Sequence, residues 1–349
     1  MSSSPSLFGA DWERTMLVQD PRSGLRAILV IHSLARGPAV GGVRRYAYAD
    51  EASALADARR LAEAMSLKCA AAGLDAGGAK TVILDHPGLD RERAYEVLGR
   101  AIGGLGGDYL CGPDIGTGPT ELAALRRGTR WVNPEANDAS ASTAAGVLAG
   151  LRGLAEVALG SAELGAHRYV IQGLGGVGMA IARTLREAGA WVGGFDLREQ
   201  ARAEAAAIGV EILAREAVFT TPCDVFMPCA LGQVLTVETC AAGPWRAVCG
   251  SANNQFMDRE AARVLHARGV PWAPDFIVNA GAVIEGVLTV LGRGGDESEA
   301  DLRDRVGATI GAIRERCGGL VRDSRASGKL ELELAEARAR EILRAAREH

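Results

Sequence analysis

Two lysines and one aspartate are the residues of this sequence best suited to proton chemistry. Lys68 and Lys80 lie in the segment MSLKCAAAGLDAGGAKTVIL, whose other residues are small or uncharged except Asp75. Lys80 opens an apolar strand expected at 81–84, and Asp114 lies in the turn 112–118 that follows a strand expected at 108–111. A lysine acts as a base only if its pKa falls well below about 10.4. Taken singly, each lysine is more often a surface charge and Asp114 more often a turn former.

The glycines Gly173, Gly175 and Gly178 have the G-x-G-x-x-G spacing of a dinucleotide-binding turn. A short apolar strand at 169–171 precedes them and an amphipathic helix follows, so the phosphates would meet the positive end of the helix dipole. The next strand, at 191–195, ends in Asp196, where a carboxylate could accept hydrogen bonds from a ribose. Asp196 favours NAD over NADP, although Arg198 lies close enough in sequence to meet a 2′-phosphate.

The remaining elements predict how these residues are positioned. Strands at 16–19 and 25–31 form a hairpin, the tandem glycines Gly41 and Gly42 follow it, and Asp50 caps a helix that ends just before Lys68. After Asp196, strands at 224–227, 247–249 and 270–272 alternate with helices, which is the order of a doubly wound parallel sheet. Further helices are expected at 142–157, 281–292, 298–316 and 330–347.

The length of 349 residues suits two domains. We expect an α/β protein with a substrate-binding and oligomerisation domain at 1–133, completed by a C-terminal helix at about 320–349. A Rossmann-type, doubly wound NAD-binding domain is expected at 134–319, with a cleft between the two domains.

The charge and composition limit the possible partners. The net charge is −4 and no uninterrupted apolar segment approaches membrane-spanning length, which disfavours nucleic acid and membranes as partners. The first residues lack the pattern of a signal peptide, so a cytoplasmic location is expected. The seven cysteines contain no C-x-x-C pair and the five histidines form no cluster, so no metal site is expected.

A series of motifs in one order resembles the leucine, phenylalanine and valine dehydrogenases of the wider glutamate dehydrogenase superfamily. The motifs are GPAVGGVRRY, MSLKCAAAGLDAGGAKTVI, GPDIGT, GLGGVG, DVFMPCALG, GSANNQ and APDFIVNAGAVI. The resemblance implies NAD-dependent, reversible oxidative deamination of an apolar L-amino acid to the 2-oxo acid and ammonia, by a homo-oligomer.

The resemblance also assigns roles to individual residues. Lys80 resembles the catalytic base, Asp114 the aspartate beside it, and Lys68 the lysine that pairs with the substrate carboxylate and helps to lower the pKa of Lys80. The other residues implied to contact the substrate are Gly41, Gly42, Met65, Gly112, Asn253, Val283 and Gly286, with Val40 at the same pocket. The residues implied to contact the cofactor are Thr143, Gly173, Gly175, Gly176, Val177, Gly178, Asp196, Cys229, Ala230, Asn253, Asn254 and Asn279.

Four positions bear on what this member of the family would do. Ala79 and Ala282 stand where the family has glycine, which leaves open a non-catalytic NAD-binding homologue. Against that alternative, both lysines and Asp114 are retained. Gly112 and Gly286 are small pocket residues, which favours phenylalanine or an indole side chain over the leucine or valine alternative. A hydroxy-acid dehydrogenase is disfavoured because no histidine is suitably placed.

Overall fold

The computed structural model describes residues 12–134, 138–292 and 297–348 of the chain. They form two compact units. The first takes the described residues of Met1–Asn137, Gly286–Leu302 and Ala339–His349, and the second takes those of Asp138–Glu285 and Arg303–Arg338. The two units differ from the expected domains in two respects. Gly286–Leu302 belongs to the first unit, and the C-terminal part of the chain belongs to it only from Ala339 onward.

The first unit is built on a mixed five-stranded sheet. Its elements, in chain order, are β1 (Arg14–Asp20), β2 (Leu25–Ser33), β3 (Ala39–Tyr46), α1 (Glu51–Ala72), β4 (Gly77–Leu84), α2 (Arg91–Gly103), β5 (Tyr109–Gly112) and α3 (Pro119–Arg126). The strand order is β1-β2-β4-β3-β5. Strands β1 and β2 form the expected antiparallel hairpin, whereas β3 pairs in parallel with both β4 and β5.

Alternation along β2 explains why both faces of this sheet are covered. Ile28 and Val30 pack with the alanine-rich face of α1, while Leu29 and Ile31 pack with Tyr95 and other apolar residues on the opposite face. Successive side chains of a strand point to opposite faces, so one apolar strand supplies two cores. The sheet is therefore fixed from both sides around the strands that carry the candidate site.

The second unit contains the glycine-rich segment. Its elements begin with α4 (Ala139–Leu159), β6 (Arg168–Gln172), α5 (Gly176–Glu187), β7 (Trp191–Phe195), α6 (Glu199–Ala207) and β8 (Glu211–Ile212). They continue with β9 (Cys223–Pro228), α7 (Val237–Ala242), β10 (Trp245–Val248), α8 (Arg259–Ala267) and α9 (Asp275–Val278). The parallel strand order β10-β9-β6-β7-β8 places β6 in the centre with connections to either side, which confirms the predicted doubly wound sheet.

The last four helices are α10 (Gly281–Gly292), α11 (Glu299–Gly311), α12 (Ile313–Ser327) and α13 (Glu331–Arg347). Helix α13 takes part in both units. Leu330, just before it, packs into the core of the second unit. Ala339 and Leu343 pack on Ala70 of α1, in the first unit.

Helix α4 is long and apolar enough to cross a membrane by length and composition, contrary to the expectation that no segment approaches that length. It is a core helix of the second unit. A Cβ on Gly153 would lie 2.0 Å from the Arg314 carbonyl oxygen, so α4 and α12 approach closely. Its small and apolar residues serve helix packing within this unit.

Several predicted elements need correction. Helix α1 does not end before Lys68: it continues to Ala72 and stops at Gly73, which is left-handed (φ 72°). Alanines favour helix, and glycine provides the left-handed stop. Strand β4 begins at Gly77, so Lys80 lies inside it. The strand expected at 270–272 is a single bridge from Val248 to Trp272.

The single helix expected at 298–316 is two helices, α11 and α12, and the second continues to Ser327. Ala312, between them, keeps a right-handed helical backbone (φ −65°, ψ −14°). In contrast, α10 and β7 have the predicted ends. Boundaries of this precision are expected where a local cap or glycine stops the element.

Candidate active site

Lys80 and Asp114 meet in the first unit because the strand between them carries glycine. Gly42 of β3 pairs with Gly112 of β5, and β3 runs beside β4, which carries Lys80. A Cβ on Gly42 would lie 2.6 Å from the Pro113 carbonyl oxygen, 2.9 Å from Asp114 Cβ and 3.3 Å from Lys80 Nζ. Any side chain at this position would therefore displace the pair. The tandem glycines are needed for close approach.

The pair itself is a short ionic hydrogen bond. Lys80 Nζ lies 2.5 Å from Asp114 Oδ2, and the Lys80 side chain is 7% exposed. Asp114 follows β5 in a loop that is closed by pairing of Asp114 with Thr117 and by the left-handed Gly116 (φ 74°). A bulkier residue at 116 would also meet the Arg45 carbonyl at 2.4 Å. The loop geometry therefore holds the carboxylate over β3.

The pKa values of the pair are displaced in the direction that a base requires. Burial lowers the pKa of the Lys80 ammonium from its ordinary 10.5, and the positive charge of Arg44 lowers it further, while Asp114 opposes both. Burial alone would raise the pKa of the Asp114 carboxyl, but the charges and hydrogen bonds of Lys80 and Arg44 outweigh it and hold that pKa below 3.8. A lysine that can lose its proton thus faces a carboxylate that stays ionised.

Sequence reasoning missed the groups that surround this pair. Arg44 Nε lies 3.0 Å from Asp114 Oδ2, and Arg44 Nη1 lies 2.9 Å from Asp57 Oδ2 of α1. Tyr48 also donates to Asp57 Oδ2, at 2.7 Å. The available signal was the arginine two residues after Gly42, since an arginine in a half-buried strand usually has a partner. Lys68 was expected to be the second cation acting on Lys80, and the structure adds Arg44 to that role.

A buried tyrosine forms hydrogen bonds with the backbone of the tandem glycines and with β4. Tyr109 donates to the Gly41 carbonyl at 3.2 Å and accepts from Thr81 Oγ1 at 3.2 Å. Tyr109 is fully buried. It therefore ties β5 to β3 and to β4 one residue beyond Lys80. This residue was also absent from the predicted site.

Asn133 lies between the two small residues predicted to widen the substrate pocket. A Cβ on Gly112 would lie 3.8 Å from Asn133 Cβ, and a Cβ on Gly286 would lie 2.8 Å from Asn133 Oδ1. The Asn133 amide therefore occupies part of the space that the missing side chain of Gly286 leaves free. Sequence reasoning gave no reason to choose Asn133, which is far from both glycines in the chain.

The other predicted substrate residues lie on α1, β3 and α10. Met65 and Lys68 lie three residues apart on α1, hence on neighbouring positions of one side of the helix, and both are half-buried. Val40 is half-buried on β3 and Val283 half-buried on α10. Their roles toward an amino acid stay predictions.

In the second unit, the predicted cofactor glycines form a tight turn. Gly173 is left-handed (φ 99°), and a Cβ there would lie 2.7 Å from the Ala230 nitrogen. A Cβ on Gly178 would lie 2.0 Å from the Gly173 carbonyl oxygen. Gly175 caps α5, and Gly176 and Val177 are its first residues. The backbone N–H groups at this helix start are available to phosphate oxygens.

Asp196 lies beside this turn at the end of β7. Its Oδ2 accepts from the Leu174 N–H at 2.9 Å, and its Oδ1 accepts from the Arg198 N–H at 2.9 Å and from Arg198 Nε at 3.2 Å. Burial would raise the pKa of this carboxyl, but these hydrogen bonds and the Arg198 charge lower it from 3.8. The carboxylate is thus ionised and partly engaged by Arg198.

The asparagines predicted for the nicotinamide end form a linked group. Asn279 Nδ2 donates to Asn253 Oδ1 at 2.8 Å and to the Ser251 carbonyl at 3.2 Å. Asn254 is left-handed (φ 49°), and its N–H donates to Asp275 Oδ2 at 2.7 Å. Among the described residues, the buried Asn279 Oδ1 has no hydrogen-bond partner.

Two further cofactor predictions lie in the same unit. The Cys229 N–H donates to the Gln172 carbonyl at 2.7 Å, so Cys229, which follows β9, lies next to the end of β6 and the glycine turn. A Cβ on Gly281 would lie 3.0 Å from the Thr143 nitrogen, which places Thr143 next to the motif of Asn279. The glycine turn, the Asp196 carboxylate and the unpaired Asn279 oxygen fit a dinucleotide with an amide at one end.

Two protein-family models match large parts of this chain. The model of the Glu/Leu/Phe/Val dehydrogenase dimerisation domain matches residues 13–131, and that of the glutamate/leucine/phenylalanine/valine dehydrogenases matches residues 196–294. A leucine dehydrogenase from Thermoactinomyces intermedius is 37% identical over 290 residues, 81% of this chain and 79% of that protein. A phenylalanine dehydrogenase from Lysinibacillus sphaericus is 37% identical over 289 residues, 79% and 76% of the two chains.

A solved structure matches over nearly the whole length. The L-tryptophan dehydrogenase from Nostoc punctiforme aligns with a TM-score of 0.86 at 25% identity and covers 97% of this chain and 98% of that chain. The hetero-hexameric glutamate dehydrogenase from Thermus thermophilus aligns with a TM-score of 0.75 at 25% identity, covering 96% and 89%.

Proposed function

We propose that this chain, which belongs to the glutamate/leucine/phenylalanine/valine dehydrogenase family, uses NAD to deaminate an apolar L-amino acid, preferably an aromatic one. Membership makes it an amino acid dehydrogenase that acts on a CH–NH2 group with a nicotinamide cofactor. The substrate and the choice of NAD are the proposal. The buried pair of Lys80 and Asp114, joined at 2.5 Å, is the observation that supports deamination at this site.

The reaction converts the amino acid, water and the oxidised cofactor into the 2-oxo acid, ammonium and the reduced cofactor, with release of one proton. The nicotinamide supplies the hydride acceptor for the Cα hydrogen. Oxidation of the amine leaves an iminium, which water attacks. Lys80 in its neutral form takes the proton from that water and later returns it to the departing nitrogen. Asp114 holds the Lys80 ammonium formed in between.

The cofactor would be held by the second unit. The pyrophosphate would lie against the glycine turn at the start of α5, and Asp196 would accept from the adenosine ribose hydroxyls. The carboxylate disfavours a 2′-phosphate by repulsion, and Arg198 is already directed to Asp196 Oδ1 at 3.2 Å. Both observations support NAD over NADP.

The aromatic preference rests on the wall formed by Gly112, Asn133 and Gly286. Two glycines leave room for a flat ring, and the Asn133 amide offers a polar edge at 2.8 Å from the Cβ position of Gly286. Relatives named for leucine and for phenylalanine are equally similar in sequence, and a structural relative is named for tryptophan. Leucine or valine therefore remains the second candidate, since one methylene of misfit changes specificity by only about 1–3 kcal/mol.

Self-association is part of the proposal. The first unit matches a dimerisation domain, and the edge strand β1 exposes Leu17 to 61%. A homo-oligomer is expected, measurable as the molar mass by light scattering. All seven cysteines are free, which suits a reducing cytoplasm.

The test is NADH formation at alkaline pH with phenylalanine, tryptophan, leucine, valine and glutamate, using the wild type and Lys80→Ala. We expect the highest kcat/KM with an aromatic amino acid and no measurable turnover for the variant. A preference for leucine would replace the aromatic substrate with the second candidate. Binding of NAD without turnover of any amino acid would favour a non-catalytic homologue in which Ala79 and Ala282 impair the site.

A further inference from the structure

We infer that Arg44 is a positioning residue for the reaction: its guanidinium holds the Asp114 carboxylate against Lys80 and ties the pair to helix α1. The inference rests on the proposed function, in which Asp114 serves Lys80. Arg44 lies on β3, two residues beyond Gly42, and its side chain is 18% exposed.

The contact geometry joins three elements through one side chain. Arg44 Nε lies 3.0 Å from Asp114 Oδ2, the same oxygen that Lys80 Nζ meets at 2.5 Å. Arg44 Nη1 lies 2.9 Å from Asp57 Oδ2. A guanidinium can span two carboxylates with fixed geometry, whereas an ammonium acts as a single point charge. Arg44 therefore sets both the position and the orientation of Asp114.

Asp57 is itself fixed, so Arg44 is anchored at its far end. Tyr48 donates to Asp57 Oδ2 at 2.7 Å, and Arg60 Nη2 lies 2.6 Å from Asp57 Oδ1. Asp57 lies in the second turn of α1, which packs on the face of the sheet made by β2 and β4. The result is a row of alternating charges that begins at Lys80 and ends at the surface.

Three charged side chains of this row act on Lys80, and they lie on three different parts of the chain. Asp114 and Asp57 favour its protonated form, while burial and Arg44 oppose it. Loss of the Arg44 charge would remove its repulsion of the Lys80 ammonium. Asp114 would also lose one of its two cationic partners and would interact with Lys80 alone. Both effects raise the pKa of Lys80. Lys80 and Asp114 contact each other directly, so their ion pair persists when only the orientation of the carboxylate changes, and we expect the pKa of Lys80 to rise.

The experiment measures the pH dependence of kcat/KM for amino acid oxidation in the wild type, Arg44→Gln and Arg44→Lys. For Arg44→Gln we expect the rising limb to move to higher pH by about one unit, so that kcat/KM near the wild-type limb falls about tenfold. The KM for the amino acid should change less than kcat, because the Arg44 guanidinium is engaged by Asp57 and Asp114. Arg44→Lys keeps the charge and should restore the limb while kcat recovers only in part.

Two control variants separate positioning from general stability. Arg93→Gln removes another arginine of the same unit, whose Nε pairs with Asp20 Oδ2 at 3.1 Å, and should leave the pH profile unchanged. Asp57→Asn releases the anchor but keeps the Arg44 charge, so kcat should fall without a shift of the limb to higher pH. Thermal unfolding of each variant identifies any that fails to fold.

A second readout does not depend on turnover. The rate at which acetic anhydride labels Lys80, followed by mass spectrometry across a pH series, reports the ionisation of Lys80 directly. Labelling of Arg44→Gln should rise at higher pH than that of the wild type. Coincident labelling curves and coincident pH profiles for the folded Arg44→Gln variant would overturn the inference. A wild type that turns over no amino acid would instead refute the proposed function, while the labelling curves still decide the role of Arg44.

Discussion

Asn133 Oδ1 lies 2.8 Å from the point where a Cβ on Gly286 would stand. A carbon and an amide oxygen cannot remain this close, so an alanine at 286 requires the Asn133 side chain to turn. Gly112, on the other side of Asn133, has no such restriction, since its Cβ would lie 3.8 Å from Asn133 Cβ. The two glycines therefore differ in what they contribute to the pocket.

This difference predicts the effects of Gly286→Ala and Gly112→Ala. Gly286→Ala should lower kcat/KM for phenylalanine relative to leucine by about tenfold, because both the added methyl and the displaced amide reduce the space for a ring. Gly112→Ala is the matched control and should change the ratio far less. Initial rates with both amino acids measure it. A larger effect at Gly112 would show that Asn133 does not shape the pocket.

Lys80→Met separates catalysis from stability. Proton transfer by a positioned side chain contributes roughly 10²–10⁴-fold, and the variant should lose at least that much in kcat. Burial lowers the pKa of Lys80, so its charged form costs more free energy in the folded chain than in the unfolded one. The variant removes that cost but also leaves the buried Asp114 carboxylate without its nearest cation, so the Tm should change far less than kcat. A loss of activity that follows the unfolded fraction would mean that the variant fails through stability.

Asp114→Asn is expected to shift the rising limb of kcat/KM in the opposite direction to Arg44→Gln. The Asp114 charge raises the pKa of Lys80, so its removal lets Lys80 lose its proton at lower pH. The maximal kcat should still fall, because the carboxylate no longer receives the ammonium. A pH profile measured under the same conditions as for Arg44→Gln gives the comparison, and shifts of the same sign in both variants would contradict it.

The same substitution has a predictable effect on stability. The pKa of Asp114 is held below 3.8 in the folded chain, so its charge stabilises the fold above that pH and the effect is lost as the pH falls through the folded value. The Tm deficit of Asp114→Asn should be full at neutral pH and should shrink in acid. Thermal unfolding of the wild type and the variant between neutral pH and acid checks this. A deficit that does not change with pH would point to lost packing instead.

Asp196→Ser should weaken the preference for NAD. Without the carboxylate, repulsion of a 2′-phosphate disappears, and Arg198 Nε loses the partner that now lies at 3.2 Å. The ratio of kcat/KM for NAD to that for NADP should fall by at least about tenfold, the effect of about 1.4 kcal/mol. Arg198→Ala in the same background should remove the gain with NADP. Unchanged ratios would exclude Asp196 as the ribose ligand.

Tyr109→Phe tests the support beneath the tandem glycines. The hydroxyl bridges the Gly41 carbonyl and Thr81 Oγ1, each at 3.2 Å. Its loss leaves buried polar groups unpaired, at a cost of about 1–3 kcal/mol in stability, and should also raise the KM for the amino acid. Tyr169→Phe, which removes a buried hydroxyl bonded to the Leu164 carbonyl at 2.9 Å, is the control. It should lower Tm without changing that KM.

The parts of the protein that the sequence determined by itself are those with a local cause. The turn at Gly173, the start of α5 and the position of Asp196 follow from strand, glycine and helix patterns within a few residues. The order of the strands in the second sheet follows from alternation along the chain. Lys80 and Asp114 could be chosen because residue type and motif order already singled them out.

Tertiary structure alone decided the groups that act on those residues. Arg44 reaches Asp114 across 70 residues and Asp57 across 13 residues of the chain, and Asn133 lies against Gly286. Such contacts depend on strand register and on how α1 packs, which no local pattern encodes. The extension of α1 past Lys68, in contrast, has a local cause that sequence reasoning overlooked, because alanines permit a helix to continue and Gly73 stops it. The motifs thus singled out Lys80 and Asp114 as candidates, and the packing of the folded chain decided which groups surround them.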